Sequence, residues 1–207
     1  MNNTHTAWVG QDVGKYQYYW TGEGNAPSYI GQVGLYEFVV PGNKTLAPDY
    51  ANIMVHMPMR PVYVPPMNDT YNGKIEGGVD LGLLPVYGKR IIVAEKNIGA
   101  NTFRDYGTFY SWAETSPKDN YSLSTYKYQN NGVIYTPENL KSIAGTQYDV
   151  ARQTLGGQWQ MPTIDDIIAL FYYCTVEYVE DSKTIKLTGP NGNSVYFPLP
   201  GYKNGTG

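Results

Sequence analysis

The sequence predicts an α+β fold of short antiparallel strands with one or two helices. Three observations carry this: closely spaced turn residues, one hairpin with alternating strands, and one helix with a full start signal. Asn-Gly pairs at 72–73, 131–132, 191–192 and 204–205, and closely spaced prolines at Pro58/Pro61, Pro65/Pro66 and Pro198/Pro200, cut the chain into short elements.

Taken in order, strands are expected at 34–40, 53–57 and 90–94, each apolar or alternating and bounded by Gly, Pro or Asn. Residues 64–78 are rich in Pro, Gly and Asn without apolar periodicity, as a connector would be. A short helix at 148–155 is stopped by Gly156-Gly157. A second begins after Met161-Pro162, because Thr163 and Asp166 fit a capping box and Ile164, Ile167, Ile168 and Phe171 recur at helical spacing. It should end near Cys174. The hairpin joins 184–188 to 194–197 through Gly189-Pro-Asn-Gly-Asn193, with Ile185 and Leu187 on its buried face.

The 207 residues suit one domain, two at most. Only 16% are charged and the net charge is −3, so no basic field exists to hold nucleic acid. The 21 tyrosines and 23 glycines, with Asn and Ser, match both adaptable recognition surfaces and a loop-rich fold with half-buried tyrosines. One cysteine excludes an intramolecular disulfide, and two histidines do not build a Cys/His zinc site. The start has no basic region followed by an apolar one, and no apolar run approaches about 18 residues. Neither a signal peptide nor membrane insertion is expected.

After the connector, Val79-Asp-Leu-Gly-Leu83 and Val93-Ala-Glu-Lys-Asn-Ile-Gly-Ala100 are followed by Tyr106-Gly107 and Tyr110-Ser-Trp-Ala-Glu-Thr115. Then come Gly156-Gly-Gln-Trp-Gln-Met-Pro-Thr163, Thr188-Gly-Pro-Asn-Gly-Asn193 and Leu199-Pro-Gly-Tyr202. This succession resembles the Fibrobacter-type major paralogous domain, a bacterial family with a C-type-lectin-like fold. The pieces that should come next stand at the front: Tyr18-Tyr-Trp-Thr-Gly22, Gly34-Leu-Tyr-Glu-Phe38 and Met59-Arg-Pro-Val-Tyr63. The resemblance therefore implies a circularly permuted C-type-lectin-like domain over 1–207. Residues 79–207 form the family's first part, 1–63 its last, and 64–78 join the original ends. It also implies that the strands at 60–62 and 79–81 meet as an antiparallel pair. Engineered permutation, natural permutation and a window across tandem repeats all fit. Lys96 and Gln160 depart from the family, where Cys and Arg are common.

The fold is shared with formylglycine-generating enzymes, but that chemistry uses reactive cysteines, and Cys174 at a helix end is expected to be a core thiol. No catalytic residue is assigned. Asp165, Asp166, Glu177, Glu180 and Asp181 fit capping and solvated faces better than a calcium site, which needs six to eight oxygens. Pro137-Glu-Asn139 holds the residues of the calcium-lectin sugar signature in the wrong order. No metal or cofactor is expected. Pro61 is expected in an edge or terminal strand with Arg60 paired locally, and Trp20, Trp112 and Trp159 in the core.

What remains is the stretch from Thr21 to Asn52, which corresponds to the family's most changeable surface. In lectin-like proteins altered by diversity-generating retroelements, that surface contacts ligand. The expected ligand-binding residues are Asn25, Tyr29, Gln32, Asn43, Lys44, Asp49, Tyr50 and Asn52. The resulting expectation is a non-enzymatic ligand-binding or adhesion module of bacterial or phage origin. It would be exposed at a cell surface, extracellularly or on a phage particle, and recognise a protein or glycan. A monomer is expected, with a strand-swapped dimer as the alternative. The rival functions are a structural unit of a surface appendage and an enzyme on the formylglycine-type fold.

Overall fold

The structure is a computed structural model that describes residues 16–24, 32–39, 47–52, 57–65, 75–200 and 203. Strands β1 (Tyr16–Gly24), β2 (Gln32–Val39) and β3 (Ala47–Asn52) form an antiparallel sheet in that order. β2 coincides with the strand expected at 34–40. β3 falls where a loop was expected. Its sequence, Ala-Pro-Asp-Tyr-Ala-Asn, is poor in β-formers, and it is ordered by pairing with β2 at the sheet edge, where Pro48 is tolerated. Of the strand expected at 53–57, residues 53–56 lie outside the described residues.

β4 (Met57–Pro58) and β5 (Val62–Tyr63) flank the Arg60-Pro61 pair. β6 (Gly78–Asp80), the single-turn helix α1 (Leu84–Tyr87) and β7 (Ile92–Ala94) follow. α1 adds a helix to the two expected, since a lone turn with Pro85 at its start leaves no periodicity to read. β8 (Phe109–Tyr110) pairs with β4. β9 (Gln129–Asn130) and β10 (Val133–Ile134) make a two-residue hairpin. Its Asn131 and Gly132 have φ of 49° and 81°, the left-handed pair such a turn demands.

Both expected helices are present. In α2 (Val150–Leu155), the cap is Asp149 and the end is Gly156. β11 (Trp159–Gln160) leads into α3 (Ile164–Tyr173), where Thr163 and Asp166 form the reciprocal capping box and Cys174 ends the helix. Asp166 is fully buried and also binds the Lys89 ammonium at 2.6 Å. β12 (Thr175–Val179), β13 (Thr184–Thr188) and β14 (Ser194–Pro198) close the chain as an antiparallel sheet. The β13–β14 register pairs Thr188 with Ser194 across the expected turn, and Ile185 and Leu187 are buried, each gaining about 1.5–3 kcal/mol. The turn is clamped onto β6: Asn191 and Asn193 both donate to the Asp80 carbonyl at 2.9 Å. A Cβ on Gly189 would meet the Leu81 carbonyl oxygen at 2.0 Å, so only glycine fits.

The central sheet runs β11-β5-β7-β6. Two expectations are corrected here. β5 is interior rather than an edge, and Pro61 is accommodated because it stands just before the strand, where its carbonyl accepts from Ala94 N–H. The strands at 60–62 and 79–81 are not direct neighbours. β7 lies between β5 and β6 and is antiparallel to both, so those two are parallel to each other. Joining parallel strands takes roughly a dozen residues or more, the span available from 64 to 77.

Two apolar clusters flank the segment from Met59 to Val62. Met59 packs with Trp112, Ile143, Val150 and Met161. Val62 packs with Leu81, Val93, Leu170, Ile185 and Phe197. Arg60 lies between them, 1% exposed, and its partners are distant in sequence rather than local. It donates to Asn97 Oδ1 at 2.7 Å, the Ala94 carbonyl at 2.8 Å and the Tyr196 carbonyl at 2.9 Å, and its guanidinium lies 4.5 Å from the Phe197 ring centre. A local partner was expected because sequence shows only neighbours. A buried guanidinium must instead be satisfied by whatever the packed core brings to it.

Candidate functional site

Of the expected ligand-binding residues, Asn25, Tyr29, Asn43 and Lys44 lie outside the described residues. Gln32 begins β2, and Asp49, Tyr50 and Asn52 are on β3. Cross-strand pairing sets Gln32 opposite Asn52, Gly34 opposite Tyr50 and Leu35 opposite Asp49. Because sheet positions alternate with a period of two, positions 32, 50 and 52 share one face and 49 belongs to the other.

The antiparallel order also separates the two connections. One connection leaves β1 at Gly24, opposite Val33, and enters β2 at Gln32, opposite Asn52. The other leaves β2 at Val39 and enters β3 at Ala47, and Val39 is the opposite end of β2, about 24 Å from Gln32 at ~3.4 Å per residue. Gln32, Tyr50 and Asn52 are thus brought together at one end of the sheet.

Three of the carboxylates weighed for calcium, Asp166, Glu177 and Glu180, have other partners. Besides its cap and its ion pair, Asp166 has no water-facing surface. Glu180 pairs with Lys183, and Glu177 lies 3.8 Å from Lys186. Among the described residues no three His, Cys, Asp or Glu side chains gather to hold a metal ion. Cys174 is buried, and burial pushes its thiol up to about 11, away from nucleophilic thiolate. Trp112 and Trp159 are buried, as expected of core aromatics.

Glu114, within the Tyr110–Thr115 motif, and Asp149, which no sequence motif singled out, act as buried clamps. The Glu114 carboxylate accepts from Lys127 N–H at 2.7 Å and holds the Lys118 ammonium at 2.6 Å. Fully buried Asp149 accepts four backbone N–H groups, two at Oδ1 from Ala151 and Arg152 and two at Oδ2 from Gly145 and Met161. Burial pushes its carboxyl up, while these donors pull the other way.

A second polar and aromatic surface escaped sequence reasoning. The ring of buried Tyr128 meets those of Tyr126, Tyr135 and Tyr148 edge-to-face, at 5.8, 6.1 and 5.8 Å. Tyr135 is 48% exposed. The Tyr148 hydroxyl donates to Glu138 Oε1 at 2.7 Å, and that bond raises the phenol above its ordinary value. Gln147 Nε2 donates to the same oxygen at 3.2 Å. Glu138 and Asn139, neither of them glycine, hold φ of 53° and 54°. The tyrosines themselves were the available signal, but their spacing at 126, 128, 135 and 148 follows no single period.

No described helix is long and apolar enough to cross a membrane. Comparison with protein-family models, curated proteins and solved structures finds no match to this chain.

Proposed function

We propose that this chain is a C-type-lectin-like domain in circularly permuted order, acting as a non-enzymatic, surface-exposed module that binds a protein or glycan ligand. The permuted reading draws support from the 57–63 segment, which pairs with β8, β7 and β11 and buries Arg60 among carbonyls of the later part of the chain. The observation that carries the binding reading is the β2–β3 register, which gathers Gln32, Tyr50 and Asn52 at the sheet end where the 25–31 connection begins and ends. Tyrosine and amide residues at neighbouring register positions suit adaptable recognition. Burial of Cys174 weighs against a cysteine mechanism on the formylglycine-type fold. The test is to immobilise the domain, identify the retained protein or glycan, and compare a Tyr29→Ala/Tyr50→Ala variant. Weakened retention is expected, and unchanged retention refutes the site.

The edge position of β3 favours one second reading, a structural unit of a surface appendage assembled through that edge. Light scattering after size exclusion separates the two. Concentration-dependent self-assembly supports the structural unit, and a monomer supports ligand binding.

A further inference from the structure

We propose that the surface around Tyr135 and Glu138 is a separate binding site for a neutral pyranose sugar, with the Tyr135 ring stacking on the sugar and the Glu138 carboxylate accepting its hydroxyls. The site is independent of β1–β3 and does not rest on the reading above.

The aromatic platform is rigidly mounted. Tyr135 N–H donates to the Tyr128 carbonyl at 3.0 Å, extending the β9–β10 ladder by one bond, and its ring rests edge-on against Tyr128. Tyr128 in turn is buried and held against Tyr126 and Tyr148. A ring fixed this way presents apolar area to a ligand with little entropy left to lose.

The carboxylate is aimed as well. Both hydrogen bonds to Glu138 from Tyr148 and Gln147 fall on Oε1, and no described residue donates to Oε2. A carboxylate accepts about four hydrogen bonds, so the second oxygen retains capacity for hydroxyl donors. Glu138 itself holds a left-handed backbone, φ 53°, which a non-glycine residue seldom adopts. Such strain concentrates at ligand clamps.

Charge selects the ligand class. The Lys127 ammonium lies 5.3 Å from the Tyr128 ring centre, on the same cluster that carries Glu138. One disfavours a cationic guest and the other an anionic one. A neutral polyol satisfies both, with exposed Gln147 and Asn139 supplying further donors and acceptors.

The test is saturation-transfer NMR of the full chain with the methyl pyranosides of glucose, mannose, galactose and N-acetylglucosamine, in EDTA, with tetramethylammonium as the cationic competitor. At least one pyranoside should bind. Tyr135→Ala should weaken it about tenfold, the size of an aromatic contact, and Tyr135→Phe should retain it. Glu138→Gln, an exposed and conservative change, should weaken it several-fold. Tyr172→Ala, at a ring 77% exposed on α3, should leave it unchanged. The proposal is overturned if no pyranoside binds, if tetramethylammonium binds in preference, or if Tyr135→Ala and Glu138→Gln, folded by near-ultraviolet circular dichroism, bind like the parent.

Discussion

Replacing Asp149 by asparagine changes one atom's chemistry and leaves the shape almost intact, so its effect isolates the four hydrogen bonds. Oδ1 takes the N–H groups of Ala151 at 2.8 Å and Arg152 at 3.3 Å, and Oδ2 takes those of Gly145 at 2.6 Å and Met161 at 2.8 Å. An amide offers one oxygen. Whichever way it turns, two N–H groups face an NH2 group and lose their acceptor. Each buried orphan donor costs about 1–3 kcal/mol, giving roughly 2–6 kcal/mol together. Removing a buried charge works in the other direction, since burial already pushes this carboxyl up, and it trims the loss toward the lower half of that range. The expected result is a loss of about 2–4 kcal/mol, a large share of a typical domain's 5–15 kcal/mol. Urea unfolding followed by tryptophan fluorescence measures it, with Trp159 two residues from Met161 as a local reporter. A loss below about 1 kcal/mol at unchanged m-value would mean that the N–H groups find other acceptors, and the clamp argument would fail.

Two further outcomes follow from the same physics. Arg60→Met keeps most of the apolar stem but leaves the acceptors at Asn97, Ala94 and Tyr196 without that donor, at about 1–3 kcal/mol each, so a loss of about 3–5 kcal/mol is expected in the same assay; near-parental stability would refute Arg60 as the tie between the two parts of the chain. Cys174 should react with a thiol reagent only on unfolding near neutral pH. Its folded pKa lies above the unfolded one, so the stability it contributes is complete below about 9 and is lost as pH rises through about 11; rapid labelling of the native protein at pH 8 would contradict its burial.

The helix at Ile164 was legible because a capping box is a four-residue signal, and both halves of it, Thr163 and Asp166, are neighbours in sequence. The β13–β14 hairpin was legible for the same reason: its turn and its alternation are local. Strands of two or three residues such as β5, β8 and β11 carry no period to detect and exist only because a partner pairs with them. β3 is the same case at greater length, a Pro- and Asn-containing segment made a strand by β2.

The candidate site divides along that line. The resemblance pointed to the stretch between residues 21 and 52, but only the antiparallel register placed Gln32 opposite Asn52 and Gly34 opposite Tyr50. The Tyr128 cluster was invisible because its rings converge from 23 residues of sequence, 126 to 148, with no regular spacing. By itself, then, the sequence determined the α+β class, the two helices and the hairpin, because each is set by residues within a turn or two of one another. Tertiary structure decided the interior place of β5, the insertion of β7 between β5 and β6, the partners of Arg60 and the division of the binding residues. Those depend on which distant groups satisfy buried charge and unpaired strand edges, and that is settled only when the whole core packs.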